Sequence, residues 1–373
     1  MKRREFIRDA AGAGLVVGTG LPSLCARLHA FGDKGSLSHV EARYYRKLPD
    51  REIECELCPR VCRLGDKERG YCGVRENQGG TYYTLVYAKT CSLNVDPIEK
   101  KPFFHFLPGT KALSLATAGC NVNCKFCQNW EISQVRPEQV ENVDMPPRAV
   151  ADLAARYGCP SIAYTYTEPV VFFEYMYDTA VEARARGVRS AVVTGGHIRP
   201  APLNDLIGVV DAIKVDLKGY SQDFYANYVR GELKTVLETI RTVAKSKVWL
   251  EIVYLVIPTL NDSTADIREM AKWVKNEVGD RVPLHFSRFQ PLYLLKDLPP
   301  TPISTLDRAR DTALAEGLRF VYVGNVPGHP GENTACPNCG KIVVERTGFK
   351  LDSLRLKGGK CEFCGTPVPG VWV

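Results

Sequence analysis

The chain has 373 residues, of which 45% are hydrophobic and 24% are charged, and this ordinary globular composition excludes wholesale disorder. The length suits one large domain with small additions. The formal net charge is +7, part of it in the N-terminal leader, and the rest is too weak to indicate a nucleic-acid-binding protein. The 14 cysteines indicate metal sites, because disulfide frameworks belong mainly to short secreted chains.

Residues 1–30 begin with a basic segment that contains Arg3 and Arg4 and continue into a weakly apolar run of small residues. Twin arginines before such a run are typical of a twin-arginine export signal. The run is too short and too rich in glycine to cross a membrane as a helix. We therefore predict a twin-arginine-like leader, with a frayed basic N-terminus as the alternative.

Residues 50–105 form a cysteine-rich segment that precedes the largest periodic region. Its four closely spaced thiols are those of Cys55, Cys58, Cys62 and Cys72. Four thiolates at such spacings are ligands for one zinc ion or one iron–sulfur cluster. The sequence predicts a metal site here and leaves both metals open.

Residues 106–328 alternate short apolar runs with helical patterns. Nearly continuous apolar runs are typical of strands buried on both faces, and their alternation with helices predicts parallel strands joined by helical crossovers. Repeated units of this kind predict an α/β fold, a partial (β/α) barrel. The predicted strands are 112–118, 161–166, 190–194, 212–217, 248–257, 283–289 and 319–323, and the clearest helices are 147–157, 168–187 and 263–278.

The segment "GCNVNCKFCQNW" carries Cys120, Cys124 and Cys127 directly after the first predicted barrel strand. Three thiolates on a four-iron, four-sulfur cube anchor three irons and leave the fourth open to a small chelating molecule, as open catalytic metal sites do. A zinc site completed by a distant ligand is the alternative. The spacing therefore predicts a catalytic cluster with one open iron.

Other polar residues follow later strands of the predicted barrel. Glu168 follows the second strand and His197 the third, while Asp216 and Lys218 end the fourth. Catalytic residues of such barrels lie at the C-terminal ends of the strands, so we expect these side chains near the cysteine loop. For His197, a structural role is an equal alternative.

Residues 329–373 contain two C-x2-C pairs, "CPNCG" and "CEFCG". Two such pairs, each followed by glycine, are typical of a zinc ribbon, and an iron site of rubredoxin type is the minor alternative. We predict a structural or docking role for this domain. Its ligands are Cys336, Cys339, Cys361 and Cys364.

The pattern of Cys120, Cys124, Phe126 and Cys127 resembles the C-x3-C-x-aromatic-C signature of the radical SAM superfamily. The resemblance implies that S-adenosylmethionine chelates the open iron of a 4Fe-4S cluster. One electron then cleaves it to methionine and a 5′-deoxyadenosyl radical, which abstracts hydrogen.

A narrower resemblance covers nearly the whole chain after the leader. The segments "DPIEKKPFFHFLPG", "CQNWEISQ", "YTYTEP" and "GNVPGHPGENTACPNCG" resemble the radical SAM enzymes of the AmmeMemoRadiSam system, relatives of pyruvate formate-lyase activating enzyme. "VDLKG" resembles the Asp-Leu-Lys motif of activating enzymes, which implies that Asp216 and Lys218 lie near the cosubstrate. Glu168, in Thr-Glu-Pro, stands where the family has Gly-Gly-Glu, and is a cosubstrate-binding candidate.

Three classes of function remain open. The first is a radical SAM enzyme with an unidentified substrate, which includes an activase that installs a glycyl radical in a partner protein. The second is an exported iron–sulfur electron carrier, and the third is a zinc-ribbon nucleic-acid module, which the weak charge disfavours. The expected partners are a low-potential electron donor and an unidentified substrate, for which a partner protein of the AmmeMemoRadiSam system is one candidate, with no nucleic acid. The leader suggests export, whereas the need for S-adenosylmethionine suggests cytoplasmic activity.

Overall fold

The computed structural model describes residues 37–372, so the predicted leader lies outside the described residues. Short antiparallel strands dominate the region before the barrel. They pair in two small sheets, of order β2-β3-β4 and β1-β6-β5. The strands are β1 (Val40–Glu41), β2 (Tyr45–Lys47), β3 (Ile53–Cys55), β4 (Arg63–Leu64), β5 (Arg75–Gln78), β6 (Thr81–Thr84) and β7 (Lys89–Thr90).

The central sheet has eight strands in the order β16-β15-β14-β13-β12-β11-β9-β8. Strands β9 and β11 to β16 pair in parallel, while β8 pairs antiparallel with β9 at the edge. A short β10 pairs outside this sheet with β7. The strands are β8 (Ser92–Pro97), β9 (Lys111–Ala116), β10 (Val143–Asp144), β11 (Ser161–Tyr164), β12 (Arg189–Thr194), β13 (Ala212–Asp216), β14 (Trp249–Val256), β15 (Leu284–Arg288) and β16 (Val321–Gly324).

All seven barrel strands expected from the sequence are confirmed, each within a few residues of its expected bounds. Strand β8 was not expected. Its polar residues Ser92, Asn94 and Asp96 alternate with more apolar ones, as is typical of an antiparallel edge strand. A search for continuous apolar runs misses such a strand.

Helices connect the parallel strands, as expected. The predicted helix 168–187 consists of a 3₁₀ turn followed by an α-helix, and the other two predicted helices are confirmed. Among residues 37–372, no helix has the length and apolar character that a membrane crossing requires. The α-helices are α1 (Trp130–Ser133), α2 (Pro147–Arg156), α3 (Phe173–Arg184), α4 (Pro200–Ile207), α5 (Gln222–Phe224), α6 (Leu233–Ala244), α7 (Thr264–Glu277) and α8 (Ile303–Ala315).

Short helical turns of other types complete the described secondary structure. The 3₁₀ turns are Pro49–Arg51, Ile98–Lys100, Pro137–Gln139, Pro169–Phe172 and Pro330–Glu332. A π-helix spans Tyr225–Val229, directly after α5. Proline opens most of the 3₁₀ turns, since its fixed φ and missing N–H suit the first turn of a helix.

A buried carboxylate links β14 to the segment before the first barrel strand. Glu251 accepts the backbone N–H of Phe104 at 3.0 Å and that of His105 at 2.8 Å. The Nε2 atom of His285 lies 2.7 Å from the same carboxylate, and the indole N–H of Trp249 donates to it at 3.0 Å. No local pattern in the sequence indicates this network, which fixes the segment against the barrel.

The C-terminal domain is a small antiparallel ribbon packed on the end of the sheet. Its apolar core includes Phe104, Phe320, Tyr322 and Val344. The buried guanidinium of Arg346 donates to the carbonyl of Phe104 at 2.7 Å, so the ribbon and barrel share one contact segment. Its strands are β17 (Thr334–Ala335), β18 (Ile342–Thr347), β19 (Lys350–Leu354), β20 (Leu356–Lys357) and β21 (Lys360–Cys361). Gly358 and Gly359 form the turn between the last two.

We expect Glu251→Gln to lower the free energy of unfolding by about 2 kcal/mol, because an amide group turns a donor toward buried N–H groups that need acceptors. The measurement is urea unfolding of the anaerobic protein, followed by tryptophan fluorescence. The matched control is Glu238→Gln, whose side chain is 50% exposed, and it should change stability by no more than about 0.5 kcal/mol. Equal effects of the two substitutions would contradict the structural role of Glu251.

Candidate active site

The cysteine triplet lies in the loop that follows β9. Cys124 is buried, Cys120 and Cys127 are half-buried, and all three thiols are free of disulfides. Backbone hydrogen bonds hold the loop, since Asn123 donates to the carbonyl of Val229 at 3.0 Å, and the amide of Lys125 donates to Tyr228 at 2.9 Å. The π-helix therefore fixes the loop that carries the three sulfurs.

Phe126 is buried beside the triplet and packs on Phe224, with ring centroids 5.9 Å apart. The Sγ atom of Cys127 lies 3.1 Å from the hydroxyl of Ser133. Of the described residues, only the C-terminal quartet brings three or more metal-ligating atoms within 4.8 Å of one another. Among these residues the triplet does not form a group of ligand atoms for a single ion.

A cavity of about 650 Å³ opens at the C-terminal ends of the barrel strands. This volume falls within the range of small-molecule sites. The structure brings all seven residues predicted to bind the cluster or cosubstrate to its wall. They are Cys120, Cys124, Phe126, Cys127, Glu168, Asp216 and Lys218.

Glu168 points into this cavity from the turn after β11. Its carboxylate accepts the hydroxyl of Thr194 at 2.6 Å, the N–H of Gly195 at 2.8 Å and the N–H of Val170 at 3.2 Å. Burial nevertheless raises the pKa of Glu168. A buried carboxylate that three hydrogen-bond donors hold in place is suited to binding a cationic group of a ligand, because that cation would supply the positive charge that balances it.

Asp216 lies between two lysines at the end of β13. Its carboxylate pairs with Lys214, which is almost fully buried, and with Lys218 at 3.1 Å. Burial opposes the charge on Asp216, but the two ammonium groups outweigh it and lower its pKa to about 2. Asp216 also raises the pKa of Lys218 against the effect of burial. The cavity therefore holds a fixed ammonium group on the side of this strand.

A second charged group at the cavity was missed in the sequence. Lys101 pairs with Asp96 at 2.5 Å, and the hydroxyl of Tyr166 also donates to Asp96. Burial lowers the pKa of Lys101 to about 8 although Asp96 opposes the shift. The side-chain amide of Asn129 donates to the carbonyl of Tyr166 at 2.8 Å, which ties this group to the cysteine loop. The sequence signal for this pair is that Asp96 and Lys101 are among the charged residues in an otherwise apolar stretch.

His197 and Asn261 have structural contacts. The Nε2 atom of His197 accepts the N–H of Glu232 at 2.7 Å, and its carbonyl accepts the amide of Asn121 at 2.7 Å. Asn261 donates to the carbonyl of Lys218 at 2.8 Å. Both residues therefore position neighbouring loops, which favours the structural alternative for His197.

The two cysteine quartets differ in geometry. In the C-terminal quartet the Sγ atoms of Cys336 and Cys364 are 3.5 Å apart, and those of Cys339 and Cys361 are 3.8 Å apart. Thiolates on one zinc ion lie about 3.8 Å apart, since each Zn–S bond is about 2.3 Å long. This quartet therefore has the geometry of a site for one metal ion. The N-terminal quartet lines a small cavity of its own; its members are Cys55, Cys58, Cys62 and Cys72.

The chain resembles known proteins over the region that forms this site. The family model described as "Radical SAM superfamily" matches residues 114–274. An uncharacterized protein of Methanocaldococcus jannaschii is 47% identical over 88% of this chain and 98% of its own length. The pyruvate formate-lyase-activating enzyme of Clostridium pasteurianum is 22% identical over 54% of this chain and 87% of its own. The benzylsuccinate synthase activating enzyme of Thauera aromatica is 30% identical over 29% of this chain and 33% of its own.

The matched region runs from β9 to α7 and so contains the cysteine triplet and four of the strand ends that line the cavity. The four residues of the signature, Cys120, Cys124, Phe126 and Cys127, line the same cavity. The family implies a 4Fe-4S cluster and S-adenosylmethionine, and three free thiols beside a cavity of suitable size fit both. The chain belongs to the radical SAM superfamily and is a radical SAM enzyme.

Proposed function

We propose that Cys120, Cys124 and Cys127 hold a 4Fe-4S cluster whose fourth iron binds S-adenosylmethionine in the cavity. When bound, the cluster supplies the electron that cleaves the cosubstrate to methionine and a 5′-deoxyadenosyl radical for hydrogen abstraction from a substrate. The observation that carries the proposal is the position of three free thiols, and no fourth cysteine, on the wall of a ligand-sized cavity within residues 37–372.

Charged residues of the cavity suit the two charged ends of the methionine moiety. Glu168 offers a buried carboxylate for the ammonium group, because its oxygens are already oriented by three donors. Lys218 offers a permanent positive charge for the carboxylate, and Asp216 keeps that lysine protonated. These residues bind and orient the cosubstrate, while the walls exclude water from the radical.

The substrate is proposed to enter between the barrel and the ribbon. Pro327, Gly348 and Phe349 line the same cavity as the cysteine triplet, and Phe349 is 44% exposed. The ribbon therefore forms part of the entrance. The substrate is unidentified, and a partner protein of the AmmeMemoRadiSam system is one candidate for it. A low-potential one-electron donor supplies the electron.

A second candidate function is activation of a glycyl-radical enzyme. Two of the relatives are activating enzymes by name, one for pyruvate formate-lyase and one for benzylsuccinate synthase. In that case the substrate is a partner protein, and the hydrogen atom that is abstracted is on the α-carbon of one of its glycines. An entrance partly formed by the exposed hairpin of the ribbon suits an extended peptide segment.

The C-terminal quartet is proposed to bind zinc. Its four sulfurs lie within 4.8 Å of one another, and the amides of Gly340 and Gly365 close the two C-x2-C turns on the carbonyls of Cys336 and Cys361. Closed tetrahedral sites of four thiolates are structural. The metal would then stabilise the hairpin that borders the cavity.

Replacement of Cys120, Cys124 or Cys127 by Ala should abolish reductive cleavage of S-adenosylmethionine, because the cube loses an anchor. The measurement is formation of 5′-deoxyadenosine by the anaerobically reduced protein without substrate. Electron paramagnetic resonance of the reduced wild-type protein should change when S-adenosylmethionine is added, since direct chelation alters the iron.

Cys91→Ala serves as the control, because Cys91 lies outside the three cysteine groups and should leave cleavage intact. An unchanged resonance signal together with an absence of 5′-deoxyadenosine from the wild-type protein would refute the proposed activity.

Glu168→Gln should raise KM for S-adenosylmethionine roughly tenfold or more, since a hydrogen bond to a charged group contributes about 1.5–3 kcal/mol. Iron content should stay at the wild-type level, because Glu168 is not a ligand of the cluster. Glu238→Gln, on the exposed face of α6, is the control and should leave KM unchanged. A normal KM in Glu168→Gln would remove this residue from the cosubstrate site.

The full-length protein should contain about one zinc ion, and Cys336→Ala with Cys361→Ala should remove it and lower the unfolding temperature. Some cleavage of S-adenosylmethionine should survive, because the quartet does not line the cavity that holds the triplet. Zinc analysis and a thermal unfolding scan test this. Iron in place of zinc would favour the rubredoxin alternative.

A further inference from the structure

The N-terminal cysteine quartet forms a site that the proposed activity does not use. Cys55 and Cys58 are buried, and Cys62 and Cys72 are half-buried. All four thiols are free and line one small cavity, which also touches Tyr82. Cys55 ends β3, and Cys58, Cys62 and Cys72 lie in the loops between β3, β4 and β5. The loops of the two short sheets therefore bring the four thiols to one cavity.

A backbone N–H reaches one sulfur of the quartet. The amide of Tyr71 donates to the Sγ atom of Cys62 at 3.5 Å. Such bonds stabilise thiolates and tune the potential of iron–sulfur clusters.

The spacing of the quartet differs from that of the C-terminal site. Within residues 37–372, the C-terminal quartet is a group whose ligand atoms lie close enough to hold a single metal ion, and the N-terminal quartet does not form such a group. Thiolates on one zinc ion lie about 3.8 Å apart. Thiolates that bind separate irons of a cube lie farther apart. The quartet therefore matches a cluster better than a zinc ion.

Positive charge faces the same cavity. The guanidinium of Arg75 is 1% exposed and pairs with Glu174, and that of Arg60 lies on the ring of Tyr71, 3.4 Å from its centroid. Four thiolates on a cube carry net negative charge, and buried cations reduce the cost of holding it. Tyr71 is 48% exposed, so this side of the site reaches the surface.

The quartet touches the barrel loop that carries the triplet. A Cβ added at Gly119 would lie 2.8 Å from the carbonyl oxygen of Cys72, and Gly119 directly precedes Cys120. The guanidinium of Arg60 donates to the carbonyl of Asn121 at 2.6 Å, and Asn121 lines the quartet's cavity. Backbone contact of this kind gives a short path between the two groups of sulfurs.

We propose that Cys55, Cys58, Cys62 and Cys72 bind a second 4Fe-4S cluster, which passes electrons to the cluster in the barrel. A reduced low-potential protein of ferredoxin type gives one electron to the outer cluster and is itself oxidised. That electron then reduces the barrel cluster from the 2+ to the 1+ state and returns the outer cluster to 2+. The relay rests on the proposed function, whereas occupancy of the quartet does not.

Metal content tests the occupancy. The anaerobic, reconstituted wild-type protein should hold about eight irons, and the variant with Cys120, Cys124 and Cys127 replaced by Ala should keep about four, enough for one cube. The reduced variant should give an electron paramagnetic resonance signal that does not change when S-adenosylmethionine is added. Four irons in the wild-type protein, or a second zinc ion at the quartet, would overturn the proposal. Because the wild-type count needs no variant, a misfolded variant leaves the test intact.

The electron donor tests the relay. In Cys58→Ala with Cys62→Ala, cleavage of S-adenosylmethionine should persist with dithionite, a small reductant that enters the cavity, and be lost with reduced ferredoxin. The Cys91→Ala control should cleave with both. Equal cleavage with ferredoxin in the double variant would refute the relay. Eight irons in a wild-type protein that cleaves nothing with either donor would refute the proposed function and leave the second cluster standing.

Discussion

The cavity depends on one buried carboxylate. Glu251 lies inside the barrel on β14 and accepts the backbone amides of Phe104 and His105. That segment forms part of the cavity wall and also accepts Arg346 from the ribbon. A buried carboxylate without such donors is strongly unfavourable, so the network specifies one arrangement of three regions. The ribbon is thereby held at the mouth of the barrel.

Charge inside the cavity is arranged so that each buried group has a partner. Asp216 shares its carboxylate with Lys214 and Lys218, and Asp96 shares its own with Lys101. Burial and pairing act in opposite directions, and pairing prevails for both aspartates, whose pKa values fall to about 2. Glu168 differs, since among residues 37–372 it has hydrogen-bond donors but no cation in direct contact. It is therefore the carboxylate of the site that gains most from a cationic ligand.

The cysteines form two kinds of group. The C-terminal sulfurs lie close enough for one metal ion, and the N-terminal quartet and the triplet line cavities. Thiolate ligands of one ion must lie close together, whereas those of a cube lie farther apart. The two groups that line cavities adjoin each other, while the C-terminal group packs in the ribbon. The N-terminal quartet and the triplet are therefore suited to electron supply and chemistry, and the C-terminal quartet is suited to structural support.

The sequence by itself determined the parallel strands and the main helices and predicted seven of the residues that line the cavity, because hydrophobic period and motif spacing are local properties. It missed β8, whose alternating pattern is typical of an edge strand, and the pairing of Lys101 with Asp96. Only the tertiary structure decided that His197 supports a loop and that the N-terminal quartet lies against Gly119. Those facts depend on contacts between residues far apart in sequence, and no local pattern records which distant segments meet.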